Sequence, residues 1–329
     1  MNISIISVTE QGKIVSDKLY ESLNDNPLIL SVTQYHKNVK NTIDNVFDKS
    51  DCIIGIMASG IMIRSIAPYV TSKLSDPAVL LIDDNANFVI SLLSGHFGGA
   101  NDLTKKISSI IDATPVITTS TDVNNKVGID SIAKRYYCNL INPQNIKYIN
   151  KALIEDRKVT LKLPHIYSYI LDDEIRSSYE IEFDNTLAMI VSQIDDHEVL
   201  LKPKNIVMGI GARRNINADK VLHAINASCE LLNIPPSRID SFATAEVKQY
   251  ERGIVDNVNA LNKTLTIISM DEIKDYNNNE CSESDFVMKK FGVKGVCEPC
   301  SLIANGQNAH LIFKKTAYDG VTIAISIDE

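Results

Sequence analysis

Short apolar runs alternate with amphipathic segments along the first third of the chain. The runs predict strands at residues 3–8, 28–32, 52–57, 78–82, 88–93 and 115–118. The segments between them predict helices at residues 11–23, 42–47, 61–69 and 98–111. Continuous apolar strands that alternate with helices are typical of a mostly parallel sheet covered on both faces. The pattern therefore predicts that residues 1–123 form a doubly wound, three-layer α/β domain.

Two further regions follow. Residues 124–202 are more polar and less regular, with predicted helices at 132–137 and 144–156 and predicted strands at 158–163 and 187–191. We interpret them as a small α+β middle domain. Residues 203–329 return to the α/β pattern and predict a second three-layer domain. Its predicted strands are 205–210, 239–243, 265–268, 310–315 and 321–327, and its predicted helices are 217–232, 246–261, 282–291 and 299–304.

Composition narrows the class of partner. The 329 residues carry a net charge of −8 and contain no long basic run, so nucleic acid is not an expected partner. The N-terminal segment lacks the basic region of a signal peptide, and no apolar run reaches about 18 residues, so no membrane partner is expected. We expect a cytoplasmic protein with reduced cysteines. A homodimer is compatible with the sequence.

The most distinctive stretch is Ser94-Gly95-His96-Phe97-Gly98-Gly99-Ala100-Asn101, between a predicted strand and a predicted helix. Glycines permit a tight turn, and a helix that begins there directs free N–H groups into it, which predicts an anion site. His96 is the side chain best suited to proton transfer near neutral pH. An ordinary strand-to-helix loop explains the same residues. Neither a P-loop nor a G-x-G-x-x-G pattern occurs, which disfavours nucleotides.

Several other groups could carry chemistry. Gly60 and Arg64 also follow a predicted strand, so they could converge with His96 at the carboxyl ends of the strands. In the last domain, Gly209 and Gly211 precede an arginine pair, Arg213 and Arg214, suited to binding carboxylates or simply solvated. An exposed helix start accounts for the charged residues of the block 244–253.

Two weaker motifs have plain structural explanations. Asp83 and Asp84 could orient His96, but a hairpin turn at 83–87 accounts for both residues. Cys297 and Cys300 form a lone C-x-x-C pair, whereas a structural zinc site usually has a second pair. Ordinary thiols near a helix start are the favoured interpretation.

Three blocks, residues 60–68, 73–79 and 94–101, together resemble the N-terminal signature of the CbiG family of cobalt-precorrin-5A hydrolases. Residues 209–214 resemble the motif that opens the family's C-terminal domain. Residues 244–253 resemble a further family block in which Glu246 replaces an aspartate, while Lys248 is retained. The resemblance spans almost the whole chain.

The resemblance implies a hydrolase that opens the ring A δ-lactone of cobalt-precorrin-5A and releases acetaldehyde, giving cobalt-precorrin-5B in anaerobic cobalamin biosynthesis. The substrate carries the cobalt, so we expect no separate cofactor and no metal site. We hypothesise that His96 is the general base or acid. The residues expected to bind substrate are Ser59, Gly60, Arg64, Ser94, Gly95, Gly98, Gly99, Asn101, Gly209, Gly211, Arg213, Arg214, Thr244, Glu246 and Lys248.

Two other functions fit the same residues. A non-catalytic protein that binds or carries a carboxylated tetrapyrrole would need the same glycine turns and arginines. A phosphate-binding α/β protein is a second alternative, which the missing P-loop disfavours.

Overall fold

The computed structural model describes residues 1–283, 288–289 and 292–328, and its strands form three sheets. By internal contacts the chain divides into two units. The first comprises Met1–Asn26 and Ser31–Pro203, and the second comprises Pro27–Leu30 and Lys204–Glu329. The first two sheets share the first unit, so the division into domains at 1–123, 124–202 and 203–329 stays a prediction.

The N-terminal sheet has six strands in the order β2-β1-β3-β4-β5-β6. The strands are β1 Asn2–Ser7, β2 Ser31–His36, β3 Cys52–Ile56, β4 Ala78–Ile82, β5 Phe88–Leu93 and β6 Thr114–Val116. The helices are α1 Glu10–Asn24, α2 Val39–Val46, α3 Ser59–Ile66 and α4 Ala100–Ile111. Strands β1 to β4 run parallel, β5 is antiparallel to β4, and β6 is parallel to β5.

Helices cover both faces of this sheet, which confirms the predicted three-layer α/β architecture. Apolar side chains of α2 and α3, including Ile43 and Met62, pack with sheet residues such as Ile53 and Val79. Helices α1 and α4 contact each other and the sheet. The predicted strand at 28–32 is wrong. Strand β2 begins at Ser31 and is only partly buried because it lies at the sheet edge.

The reversal at β5 is made by a hairpin turn at Asp83–Asn87. Asp83 accepts hydrogen bonds from the backbone N–H of Phe88 at 2.6 Å and from Asn87 Nδ2 at 2.9 Å. Burial alone would raise the pKa of Asp83, but these hydrogen bonds outweigh it and hold that pKa below its usual value. The turn confirms the hairpin interpretation. Asp83 and Asp84 lie at the opposite end of β5 from His96, so the suggestion that they orient His96 is wrong.

The middle sheet is mostly antiparallel, in the order β7-β11-β10-β8-β9, as expected for an α+β region. Its strands are β7 Cys138–Ile141, β8 Thr160–Leu163, β9 Glu180–Phe183, β10 Ile190–Ile194 and β11 His197–Pro203. The helices are α5 Ser120–Val123, α6 Ile129–Arg135, α7 Ile146–Ile154 and α8 Asp173–Ser178. Short 3-10 turns occupy Pro143–Asn145 and His165–Ile170. Ile132, Ile149 and Leu161 lie in one shared core.

The second unit holds a mixed sheet in the order β14-β13-β12-β16-β15. Its strands are β12 Ile206–Ala212, β13 Ser241–Ala245, β14 Thr264–Ile268, β15 His310–Tyr318 and β16 Val321–Ile327. The helices are α9 Ala218–Leu231, α10 Arg252–Ala260, α11 Met270–Asp275 and α12 Cys297–Asn305, with 3-10 turns at Pro236–Arg238 and Glu246–Lys248. The predicted helix at 282–291 lies largely outside the described residues.

Local signals explain several of these boundaries. Asn217 caps α9, because its side chain accepts a hydrogen bond from the N–H of Asp219 at 2.7 Å. Ser269 and Glu272 form a capping box at the start of α11. Within the described residues, no helix is both long enough and apolar enough to cross a membrane.

Candidate active site

The turn between β5 and α4 is built on left-handed backbone positions and close packing. Ser94 has a φ of 57°, and Gly99, the residue before α4, has a φ of 86°. A Cβ atom at Gly98 would lie 2.3 Å from Ser94 Cβ, which no real structure tolerates. A Cβ at Gly95 would lie 2.7 Å from Asn101 Oδ1. The glycines are therefore required by the shape of the turn.

Three backbone donors at the end of this turn, where α4 begins, are occupied. The N–H of Gly99 donates to His96 O at 2.9 Å, that of Ala100 to Ser94 O at 3.2 Å, and that of Asn101 to Gly95 O at 2.9 Å. In this conformation these three N–H groups are not available to an incoming anion. The expected anion-binding role of Gly95, Gly98 and Gly99 stays a prediction, and for these N–H groups it requires the turn to open.

His96 lies between two carboxylates. Its Nδ1 is 3.3 Å from Asp130 Oδ2, and its Nε2 is 3.0 Å from Asp122 Oδ2. Thr121 Oγ1 is also 2.8 Å from Nε2. The side chains are largely enclosed, with 12% of His96, 20% of Asp122 and 5% of Asp130 exposed. Both ring nitrogens therefore have a partner within the protein.

These contacts set the charge of the cluster. Burial alone would lower the pKa of His96, but the hydrogen bonds and charges of Asp122 and Asp130 outweigh it and raise that pKa from 6.5 to about 9. Burial would raise the pKa of each aspartate, yet the imidazolium holds both below 3.8. At neutral pH His96 is an imidazolium flanked by two carboxylates. It can donate a proton, whereas it must lose its own proton before it can act as a base.

Amide side chains hold the carboxylates in place. Asn101 Nδ2 donates to Asp122 Oδ2 at 2.9 Å, and Ser91 Oγ donates to Asn101 Oδ1 at 2.7 Å. Asn150 Nδ2 donates to Asp130 Oδ1 at 3.0 Å. The predicted site residue Asn101 thus orients another side chain. It is buried at 3% exposure, which argues against direct contact with a ligand.

A cleft of ≈ 370 Å³ lies beside the cluster within the first unit. Helices α4, α5, α6 and α8 and the segment between α5 and α6 form its walls. Asp122 belongs to both the histidine cluster and the cleft. The charged side chains that line the cleft are Lys105, Asp122, Lys126, Arg135, Asp173 and Glu174.

Ser59, Gly60 and Arg64 do not meet His96. They follow β3, whereas His96 follows β5, which runs in the opposite direction. The two sets therefore lie at opposite ends of the strands of the N-terminal sheet, and the predicted convergence is wrong. A Cβ at Gly60 would lie 3.1 Å from Arg64 Nη1, so the arginine folds back over its own helix start.

In the second unit, the glycines of β12 are required by packing. A Cβ at Gly209 would lie 1.9 Å from the carbonyl oxygen of Cys297, and one at Gly211 would lie 2.5 Å from Thr322 Oγ1. Thr244 is buried and donates from Oγ1 to Ile210 O at 2.7 Å. These three predicted site residues hold neighbouring elements together in this structure.

The charged residues of the second unit share one edge of its sheet. Arg213 and Arg214 are exposed after β12, and Glu246 and Lys248 follow β13, its parallel neighbour. Glu246 Oε1 accepts the N–H of Met270 at 3.0 Å, at the first residue of α11. Lys248 Nζ is 3.6 Å from Oε2 of Glu251. The arginines remain candidates for binding carboxylates, whereas Glu246 has a structural partner.

The C-x-x-C pair forms part of the core. Cys297 and Cys300 are buried in the first turn of α12, and burial raises the pKa of Cys297 to about 12 and that of Cys300 further. These thiols stay protonated, which agrees with the ordinary-thiol interpretation. Among the described residues, no group of three or more His, Cys, Asp or Glu side chains is arranged to hold a metal ion.

Two site residues were missed from sequence. Asp122 and Asp130 are 26 and 34 residues from His96. Asp122 lies in α5, at the end of the predicted N-terminal domain, and Asp130 lies in α6, within the region predicted as a more polar middle domain. Asp130 lies in the first turn of α6, where an acidic residue is expected simply because it stabilises the helix. No local spacing connects either residue to His96, so only the fold identifies them.

The fold and cluster define a class: an α/β protein with three sheets and a buried imidazolium–carboxylate site beside a charged cleft. Profiles of two domains match the chain, "Cobalamin synthesis G N-terminal" over residues 41–122 and "Cobalamin synthesis G C-terminus" over residues 206–326. The chain belongs to the cobalamin synthesis G (CbiG) family.

Relatives extend the match to the full length. A protein of Methanocaldococcus jannaschii named "Probable cobalt-precorrin-5A hydrolase" is 34% identical, over 100% of this chain and 99% of its own. The cobalt-precorrin-5A hydrolase of Salmonella typhimurium is 29% identical over 87% of this chain and 85% of its own. A crystal structure of a cobalamin biosynthesis protein G homologue from Sulfolobus solfataricus covers 100% of this chain and 97% of its own, with 28% identity and a TM-score of 0.61.

Proposed function

We propose that this chain is a cobalt-precorrin-5A hydrolase. It opens the ring A δ-lactone of cobalt-precorrin-5A and releases acetaldehyde, giving cobalt-precorrin-5B in anaerobic cobalamin biosynthesis. The observation that carries this proposal is the 34% identity to the Methanocaldococcus jannaschii protein along the entire chain. The alternative of a non-catalytic tetrapyrrole carrier is not favoured by the names of these relatives.

The reaction needs an activated water and a stabilised oxyanion. Water adds to the lactone carbonyl, and the ring oxygen departs as an alkoxide. The alkoxide then collapses in a retro-aldol-like step, in which acetaldehyde leaves and the cobalt-bound macrocycle takes up the electron pair. His96, as an imidazolium held by Asp122 and Asp130, is suited to donate a proton or to stabilise developing negative charge.

Four expectations complete this proposal. The substrate carries the cobalt, so the chain needs no separate cofactor for the electron sink. We place the reaction in the cytoplasm, where a corrinoid intermediate can pass between enzymes. A homodimer stays a prediction, and so does a role for Arg64, Arg213 and Arg214 in binding acetate and propionate groups.

The test is acetaldehyde release from enzymatically generated cobalt-precorrin-5A in the absence of oxygen. The release is monitored as the oxidation of NADH by a coupled alcohol dehydrogenase. We expect turnover by the wild-type protein and a loss of about a hundredfold or more in His96→Gln. His197→Gln is the matched control, since His197 stacks on Tyr148 at 3.8 Å outside the cluster. Binding of the pigment without acetaldehyde would support the carrier alternative instead.

A further inference from the structure

Asp122 is the member of the histidine cluster that reaches the cleft. Its Oδ2 is occupied by His96 and Asn101, whereas the contact of its Oδ1 is Lys105 Nζ at 3.9 Å. Asp130, on the other side of the imidazole, is buried and bonded to Asn150. A ligand in the cleft would therefore meet Asp122 first, with His96 behind it.

Two cations of the cleft, Lys105 and Arg135, have only long contacts to carboxylates, whereas Lys126 is paired with Asp156 at 2.7 Å. Arg135 makes contacts of 3.4 Å to both oxygens of Asp102 and 3.3 Å to Glu174 Oε2. Charge-assisted bonds of this kind are usually about 2.7–2.9 Å. Glu174 is 65% exposed, so it can swing away at little cost. An incoming carboxylate can thus replace Glu174 on Arg135, and Lys105 lines the same cleft.

The cleft is too small for a complete macrocycle. Pockets that enclose a whole drug-sized ligand measure about 300–1,000 Å³, and this cleft, at ≈ 370 Å³, is near the lower limit. A tetrapyrrole with its side chains is larger than a drug-sized ligand. The volume suits one edge of such a ring, with one or two carboxylate side chains and the group attached beside them.

We infer that this cleft receives a carboxylate-bearing edge of the substrate, that Lys105 and Arg135 bind its carboxylates, and that Asp122 is the catalytic group facing the reacting lactone. This inference rests on the proposed function for the identity of the reacting group. The binding of a carboxylated ring edge depends only on the geometry of the cleft.

The step at Asp122 is a balanced hydrolysis. The carboxylate takes a proton from water while the water oxygen forms a bond to the lactone carbonyl carbon, and the carbonyl electron pair moves to its oxygen. When the carbonyl re-forms, the bond between that carbon and the ring oxygen breaks. The ring oxygen departs as the alkoxide whose collapse releases acetaldehyde, and the proton taken up by Asp122 passes to solvent. The His96 imidazolium keeps its own proton and stabilises the charge of Asp122. One water is consumed, and no oxidant is required.

Two substitutions in the cleft should act in opposite directions. Arg135→Gln removes the cation and should weaken binding about tenfold to a hundredfold, as for the loss of a hydrogen bond to a charged group. Glu174→Gln removes the competing carboxylate and should tighten binding several-fold. A purely structural role would make both variants weaker or leave both unchanged.

Matched controls lie elsewhere in the same unit. Arg157→Gln removes an arginine bound to Asp195 at 2.7 Å, and Glu180→Gln removes a glutamate bound to Lys158 at 2.8 Å. Neither residue lines the cleft. Binding is measured by the change in the fluorescence of uroporphyrin, a stable polycarboxylated tetrapyrrole, and the chain contains no tryptophan. The KM for cobalt-precorrin-5A gives a second measure of binding. The two controls should bind like the wild type.

Asp122→Asn separates catalysis from binding. We expect kcat to fall by about a hundredfold or more with little change in KM, and Asp122→Glu to recover part of the activity. Full kcat in Asp122→Asn would refute the catalytic role.

If Arg135→Gln and Glu174→Gln behave like their controls while the wild type turns over, the cleft inference is wrong and the proposed function stands. Opposite shifts in uroporphyrin binding without any turnover would support the cleft and refute the proposed function, and no binding by the wild type would refute the cleft.

Discussion

The charge of His96 is the property on which the site depends, and Asp130→Asn tests it directly. Asp130 supplies one of the two carboxylates that raise the pKa of His96 from 6.5 to about 9. The variant keeps an oxygen that can accept from the imidazole but removes the charge. We expect the pKa of His96 to fall by about one pKa unit or more, since an opposite charge at this distance typically shifts a pKa by about 1–3 units.

The rise of the His96 pKa on folding also predicts that the stability of the protein depends on pH. A rise from 6.5 to about 9 corresponds to about 3 kcal/mol, at about 1.36 kcal/mol for each pKa unit. Because the folded-state pKa is raised, this stabilisation is fully present below about pH 6.5 and is lost as the pH rises through about 9. In Asp130→Asn the pKa of His96 is lower, so this stabilisation should be smaller and should be lost at a pH closer to 6.5.

The assay is NMR titration of the imidazole C–H signals after selective labelling of histidine. The chain has six histidines, and His96→Gln assigns the signal of interest. Urea denaturation at pH 6 and pH 9.5 gives the accompanying change in the free energy of unfolding. A wild-type His96 that titrates near 6.5, or one that is unaffected by Asp130→Asn, would refute the view of a carboxylate-held imidazolium.

Three further predictions concern packing and thiol chemistry. Gly98→Ala should destabilise the protein by about 1–3 kcal/mol or more in urea denaturation, because its Cβ has no space in the turn. Gly209→Ala should lower the stability of the second unit by at least as much, whereas Gly295→Ala, with its nearest contact at 3.4 Å, should be mild. Unchanged stability in either of the first two would contradict the packing described here. Cys297 and Cys300 should resist iodoacetamide in the native protein and react only after denaturation, as read by mass spectrometry, because both thiols are buried and protonated.

Most of the fold could be predicted because its central strands are continuous apolar runs. Strands β4 and β5 match the sequence prediction residue for residue, at Ala78–Ile82 and Phe88–Leu93. Strand β2 was misplaced because an edge strand such as Ser31–His36 needs few apolar residues, while the preceding apolar segment, Pro27–Leu30, belongs to the second unit. Hydrophobic runs report burial, and they do not report which sheet buries them.

The direction of a strand is likewise not encoded in its apolar pattern, and here that direction decides the site. Had β5 run parallel to β4, the glycine turn would have reached the edge that carries Arg64, as the sequence suggested. The hairpin at residues 83–87 reverses β5 instead, so the turn opens at the other edge. There, α5 and α6 supply Asp122 and Asp130 to His96. The glycine motif therefore locates the histidine, but the two carboxylates that keep it protonated come from α5 and α6, far along the chain from the motif. A variant that weakens α5 or α6 should consequently lower activity even when the glycine turn is intact.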